Sequence, residues 1–323
     1  MAVPSGLSAQ LMTAEESTYG TIVTPDRGYE LRSESLVLDI ERIECQTVRP
    51  DQRMTRTDRW YSGKRAVHGD LVLELGTRGF GRWWKHALGN VVTTQPDSVG
   101  NPTVYDHTFT PADLPTGLTV QLGRTDITGT VQPFTYPGCK VIGWKLDCAV
   151  DQIALFTPSL VGRDETTATA LTTATYPAGL NVMSWAQATL TIGGSPQIVT
   201  AVNVTANNNL VADRYFLGSP LRGAPLEGPL RSYSGTLAAE FESLTAYNRF
   251  TAGTEATLVL LFQGATISGI YKYQTTLTAN VRFDGQTPNI TGPGVLQQPL
   301  PFKVTDTGSA SISVVYRTTD TTP

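Results

Sequence analysis

Threonine is the feature of this sequence that most limits what it can fold into, because 47 of its 323 residues are threonine. A β-branched side chain suits the pleated surface of a sheet and is only a neutral choice inside a helix. The chain also has 30 glycines and 20 prolines, which divide it into short segments as turns between strands require. The sequence therefore predicts a mainly β protein and excludes a helical bundle or a coiled coil.

Charge and segment composition exclude several classes of partner. Charged residues make up only 16% of the chain and the formal net charge is −4, so we expect no tight binding to the phosphate backbone of nucleic acid. Three cysteines are too few for a disulfide framework and are expected to be reduced. The sequence has no apolar run of membrane-spanning length and no signal-like start, which predicts a soluble protein made in a cytosol, with no membrane partner.

Catalytic motifs are missing from the sequence. The three histidines, His68, His86 and His107, do not have the spacing of a metal site, and Gly79-Phe80-Gly81 lacks the third glycine of a dinucleotide-binding turn. We therefore predict no enzyme activity, no metal and no cofactor. A carbohydrate-active or hydrolytic β protein stays open as an alternative, because paired carboxylates such as Glu240 and Glu242 could serve acid–base chemistry.

Two local patterns predict regular structure in the first half of the chain. Residues 36–43 and 68–75 alternate apolar and polar side chains with the period of a strand. Residues 79–89 place apolar side chains at helical spacing and end at Gly89, which predicts a short amphipathic helix lying on a sheet. The side chains expected to pack this helix are Phe80, Trp83, Trp84 and Leu88.

Two arms precede strands at matching places in the chain. Residues 49–65 are rich in arginine, and residues 216–232 are rich in proline and glycine. We expect both arms to be exposed and to contact neighbouring copies of the chain. The candidate contact residues are Arg49, Arg53, Arg56, Arg59, Trp60, Arg222 and Arg231.

The order of elements recurs after a threonine- and alanine-rich stretch at residues 164–179, which is typical of a linker. A strand, an arm, a second strand, a short helix around residues 244–250 and further strands follow one another in both halves. Aligning the second strands superposes Gly69 on Gly235 and Leu71 on Leu237. The sequence therefore predicts a tandem duplication, with a first domain at residues 1–163, a linker at 164–179 and a second domain at 180–323.

The motifs resemble those of one family, the tail tube proteins (major tail proteins) of bacteriophages with long non-contractile tails, the siphoviruses. The resemblance depends on the order of short segments over about 300 residues and not on any one of them. The segments are residues 15–21, 34–36, 69–75 with the helix at 79–89, 136–141, 234–237, 281–285 and 301–304.

The resemblance implies a β-sandwich or half-barrel domain with one outer helix, whose sheets join those of neighbouring copies into a ring-shaped β-barrel. It implies stacked rings that form the conduit for genome ejection in the virion tail, assembled in the host cytoplasm. The partners implied are other copies of the chain, the tape measure protein in the lumen, tail terminator and distal tail proteins at the ends, and double-stranded DNA that passes without tight binding. The family's usual one-domain member is shorter, which two fused domains would explain.

Three questions stay open on the sequence alone. If each half supplies one of six wall positions, a ring contains three chains with pseudo-sixfold symmetry; if the second half is an outer decoration, it contains six. A receptor-binding or capsid-decorating β protein of the virion is the alternative function. Strand alternation places charged side chains on a wet sheet face without saying which one, and the candidates for the lumen are Asp39, Glu41, Asp70 and Glu74.

Overall fold

A computed structural model describes residues 6–285, 287–290, 292–308 and 311–323, and it is mainly β as predicted. The helices are α1 (Gly81–Leu88) and α2 (Leu244–Ala252), with short 3-10 turns at Gly6–Ser8 and Trp185–Gln187. The strands are β1 (Gln10–Glu15), β2 (Arg27–Tyr29), β3 (Ser33–Glu34), β4 (Val37–Glu44), β5 (Trp60–Glu74), β6 (Gly89–Thr94), β7 (Tyr105–Pro111), β8 (Leu118–Thr125), β9 (Val131–Ala149), β10 (Leu155–Gly162), β11 (Ala188–Ile192), β12 (Ser195–Pro196), β13 (Val199–Asn207), β14 (Leu210–Val211), β15 (Leu226–Glu227), β16 (Ser232–Glu240), β17 (Ala256–Ser268), β18 (Tyr271–Phe283), β19 (Gln297–Val304) and β20 (Ile312–Thr318).

The named strands pair antiparallel, and two sets of them pair in the same order. In the first half the order is β2-β1-β8-β9-β10-β5-β4. In the second half it is β12-β11-β17-β18-β19-β16-β13. The two helices also follow corresponding strands: α1 follows β5 in the first set, and α2 follows β16 in the second. The division into two domains stays a prediction.

The two sets are joined by direct strand pairing. The second part of β9 pairs with β13 from Gly143 opposite Asn207 to Ala149 opposite Ala201. A second connection pairs β20 with β7, which belongs to a β6–β7 hairpin inserted between α1 and β8. One hydrophobic core accordingly contains side chains from both halves, including Leu146 of β9 and Val204 of β13.

Several boundaries differ from those expected. The first arm is shorter than residues 49–65, because its last six residues belong to β5 and pair with β4. The segment at residues 164–179 is attached to the first half of the chain, since Thr166 pairs with Thr135 of β9 through two backbone hydrogen bonds of 2.8 and 2.9 Å. Among the described residues, neither helix has the length and apolar content needed to span a bilayer.

Candidate assembly surfaces

One face of the sheet that runs through β5, β10, β9, β13, β16 and β19 is polar. Directly opposite residues share a face, and one such row joins Thr157, Lys145, Thr205, Ser234 and Lys303. A second row joins Leu155, Asp147, Asn203, Thr236 and Pro301, and within it the Asn203 amide donates a hydrogen bond to the Asp147 carboxylate. The next row along the same face is apolar and joins Ala149, Ala201, Ala238 and Pro299. The opposite face is the core. This surface, called the polar sheet face below, is rich in hydroxyls and mixed in charge.

The four predicted lumen residues lie in β4 and β5. Asp70 and Glu74 alternate with Leu71 and Leu73, whose side chains are fully buried, so both acids lie on the polar sheet face. Asp39 is exposed, with its carboxylate 3.6 Å from Nδ1 of His68. Glu41 is exposed over the backbone of β5. That this face lines a lumen stays a prediction.

The β4–β5 hairpin carries the basic arm, defined here as residues 45–59. Its four arginines, Arg49, Arg53, Arg56 and Arg59, are all exposed. Nε of Arg56 lies 2.8 Å from Oδ1 of Asp58, and Nε of Arg59 lies 4.0 Å from Oδ2 of the same carboxylate. Within the described residues, Arg49 and Arg53 have no acidic partner at ion-pair distance. Trp60 follows the basic arm with 48% of its surface exposed and its ring 5.3 Å from the Arg42 guanidinium. The basic arm therefore presents unpaired cationic side chains to solvent.

The two arginines of the second arm differ from the exposed arginines of the basic arm, because their guanidinium groups donate hydrogen bonds within the chain. Arg222 is only 8% exposed and donates to the carbonyls of Val67 and Gly162 at 3.2 and 3.1 Å. Arg231 donates to the Leu88 carbonyl at the end of α1 at 2.8 Å. Proline and glycine in the surrounding sequence suggested exposure, but these arginines satisfy backbone carbonyls and hold their loop against the body.

Helix α1 packs on the core face of the sheet, opposite the polar sheet face, and it is enclosed. Every residue of it except Lys85 is buried, and Trp83 and Trp84 are fully so. The Trp84 ring lies 4.6 Å from that of Phe156 and 5.5 Å from that of Trp144. The predicted packing residues thus are core residues, and the second helix provides the contrast: α2 has no buried residue.

Two acidic side chains lie at the N-terminal end of α2, and Arg249 lies in its last turn. Glu240 and Glu242 precede the helix and are exposed, and Leu244 in its first turn is 59% exposed. Gly253 ends the helix with a φ of 63°, a conformation that favours glycine, and the carbonyls of the last turn add partial negative charge. The two carboxylates considered for hydrolysis are therefore exposed side chains at the N-terminal end of α2.

A buried carboxylate that sequence reasoning missed connects two of the family-like segments. Glu16 is 5% exposed and accepts three hydrogen bonds, from the backbone N–H of Gly20 at 2.7 Å, that of Gly138 at 2.9 Å and the Thr119 hydroxyl at 2.8 Å. Gly138 has a φ of 68°, and a Cβ there would lie 3.0 Å from the Tyr19 ring. Segments 15–21 and 136–141 are therefore one structural unit, and only their joint occurrence in the sequence hinted at it.

A second, partly exposed network fixes α1 against β1. The Glu15 carboxylate lies 3.1 Å from Nε2 of His86 and accepts from Nζ of Lys85 at 2.8 Å. The hydrogen bonds from His86 and Lys85 outweigh partial burial and lower the pKa of Glu15 from 4.5 to about 2. Burial lowers the pKa of His86, which disfavours the charged form of its ring, although the Glu15 carboxylate acts in the opposite direction.

The three histidines have separate partners. His86 contacts Glu15, His68 faces Asp39, and Nδ1 of His107 lies 2.8 Å from the Thr93 hydroxyl. In the described ranges, no three potential metal-ligating side chains are grouped at one place.

A comparison with known families matches most of the chain. The family model described as phage tail tube protein matches residues 6–304. No curated protein matches the chain.

Proposed function

The chain belongs to the phage tail tube protein family, and from this premise we propose that it forms stacked rings whose bore is the conduit for genome ejection. Membership of this family supports a structural, non-enzymatic role in the virion tail and self-assembly into a tube. The finer proposal depends on the strand order, which is the same in the two halves of the chain. The two halves are joined directly by the β9–β13 pairing. Two copies of one wall unit in a chain would account for both.

The proposed ring contains three chains, in which the two domains of each chain occupy adjacent positions and residues 164–179 connect them. Six positions from three chains give pseudo-sixfold symmetry, with half of the junctions inside chains. An intramolecular junction has a high effective concentration, which favours ring closure. Six chains per ring is the alternative, with the second half as an outer decoration.

The polar sheet face is proposed to line the bore. It carries Asp70, Glu74 and Asp147 against Lys145 and Lys303, with hydroxyls and amides between them. Such a surface is wetted without concentrating positive charge, so DNA and the tape measure protein can pass without being held. Tail terminator and distal tail proteins are the proposed partners at the two ends, and the host cytoplasm is the proposed place of assembly.

Electron microscopy of the purified protein tests this function. We expect rings or tubes with a central hole after concentration. A protein that stays monomeric at every concentration and in the presence of the tape measure protein would contradict the proposal.

A further inference from the structure

Strand β4 has an open edge where its counterpart does not. Two glycines identify which residues of the two halves correspond. Each lacks a Cβ and so leaves room for a carbonyl of the neighbouring strand: the Ser35 carbonyl approaches Gly69, and the Asn203 carbonyl approaches Gly235. Three residues before each glycine, Ala66 pairs with Asp39 of β4 and Ser232 pairs with Asn207 of β13. Residue for residue, β4 therefore corresponds to β13, and Ile40 corresponds to Asn208.

The counterpart β13 is covered on both edges. It pairs with β16 on one side and with β9 on the other, and the ladder to β9 is extended by the Asn208 N–H, which donates to the Ile142 carbonyl at 2.7 Å. The Asn208 side chain donates to the Ala87 carbonyl of α1 at 3.1 Å, and Arg231 reaches the next carbonyl, that of Leu88. Strand β13 and the arm after it thus cover the end of β9 and of α1.

Within the described residues, β4 pairs with β5 alone. The Ser35 N–H donates to the Asp70 carbonyl at 2.9 Å, so odd-numbered residues of this segment direct their backbone groups toward β5. Because backbone groups alternate along a strand, those of Ile40 point to the other edge. Ile40 accordingly presents an N–H and a carbonyl where Asn208 makes its bond to β9.

The corresponding acceptor lies at the end of β18. The last pair between β18 and β17 is Val281 opposite Ala256, and the Asp284 N–H donates to Pro301 of β19 at 2.9 Å. By alternation, the backbone groups of Phe283 point to the β17 side, where no strand lies beyond Ala256 in the described part of the chain. Pairing through Phe302 and Gly235 places Phe283 at the position of Val141, next to Ile142, which is the extra residue of a bulge in β9. The neighbouring α2 has no buried residue, whereas α1 is covered.

We propose that β4 of one copy adds antiparallel to the end of β18 of a second copy, with the Ile40 N–H bonded to the Phe283 carbonyl. This register sets Glu41 opposite Arg282 and Asp39 opposite Asp284, whose carboxylate is paired with Arg282 at 2.8 Å. The basic arm then lies over α2 of the second copy, as the second arm lies over α1. The assignment rests on the proposed function and specifies its intermolecular junction.

Charge and symmetry favour a second copy as the occupant. The arginines of the basic arm meet the surface that carries Glu240 and Glu242, and opposite charges across an interface fix its orientation. The two surfaces lie on different halves of the chain, so the contact is head-to-tail and generates a closed ring when its rotation closes. It also covers the exposed β4 edge, which would otherwise pair with other chains.

A proline at position 40 tests the junction. Ile40→Pro removes the outward N–H at an edge position, where proline is tolerated, while Ile40→Val retains it. We expect Ile40→Pro to lower ring formation at least tenfold at equal concentration, with a melting midpoint of the monomer within about 2 °C of the unsubstituted chain. Ile40→Val should form rings normally.

Cysteine pairing tests the register. In a Cys45→Ser background, Asp39→Cys with Asp284→Cys is expected to give disulfide-linked chains in rings, because directly opposite residues lie within disulfide reach. Ile43→Cys with Asp284→Cys, displaced along the strand by four residues or about 13 Å, should not cross-link.

The outcomes separate the two proposals. If Ile40→Pro forms rings as well as the unsubstituted chain does, and cysteines at positions 39 and 284 do not cross-link, the proposed junction is wrong and the tail tube role still stands. Failure of the unsubstituted chain to form rings counts against the proposed function and, with it, against the junction.

Discussion

At the scale of single residues, Glu16 bears most directly on stability. Its buried carboxylate accepts bonds from three donors on three chain segments. Glu16→Gln replaces one acceptor oxygen by an amide that cannot accept, so at least one buried N–H or hydroxyl loses its partner. We expect the free energy of unfolding to fall by about 1–3 kcal/mol in urea denaturation. Glu30→Gln, at an exposed carboxylate, is the matched control and should change it by less than about 0.5 kcal/mol.

The Glu15 network predicts the direction of a pH effect. Because the pKa of Glu15 is about 2 in the folded chain and 4.5 unfolded, its contribution is fully present above pH 4.5 and is lost as the pH falls toward 2. His86, with a pKa lowered below 6.5 by burial, also favours unfolding as the pH drops below 6.5.

Glu15→Gln tests this. The side chain is 37% exposed, and with solvent screening we expect a loss of about 1 kcal/mol at pH 7. The stability of the variant should then depend less on pH between 4.5 and 2 than that of the unsubstituted chain. Parallel slopes for the two proteins over that range would contradict the assigned ion pair.

At the scale of elements, the basic arm is predicted to be an assembly element and not a folding element. Its arginines are exposed and make few contacts within the chain. Charge reversal at Arg53, Arg56 and Arg59 should therefore block tube growth while circular dichroism and the melting midpoint stay unchanged. Arg32→Glu, at an exposed arginine outside the basic arm, is the control and should leave tube growth unchanged. Tubes that grow normally after the reversal of the arm would show that it has been misassigned.

The elements themselves could be predicted well from local patterns. Alternation over residues 36–43 found β4, and helical spacing ending at Gly89 found α1. Local patterns did not reveal that α1 is enclosed. The apolar side chains of Trp83 and Trp84 at helical spacing predict an amphipathic helix whether one side of the helix is covered or both are. The β9–β13 pairing and the bonds to Glu16 from Thr119 and Gly138 join residues more than 50 positions apart, and spacing carries no signal for such contacts.

At the scale of the whole molecule, the number of chains per ring tests the duplication. If both halves are wall units, native mass spectrometry of a single ring should give three chains. Six chains would mean that the second half decorates the outside, and that the matching strand order of the two halves does not reflect equivalent positions.

The proposed bore predicts weak DNA binding. The net charge is −4 and the polar sheet face carries acids as well as lysines. We expect a dissociation constant for a DNA duplex of about 10⁻⁶ M or weaker at physiological salt. A gel shift with submicromolar affinity would be incompatible with a surface that lets the genome slide.

The β9–β13 pairing also has a consequence for the time course of synthesis. The edge of β9 that ends at Ala149 leaves the ribosome before its partner, which is complete at Asn207. At ordinary translation speeds of about 5–20 residues per second, roughly 60 residues take about 3–12 seconds. During that interval the nascent chain displays an unpaired edge next to ribosomes making the same product, so slow codons between these positions should lower the yield of soluble protein.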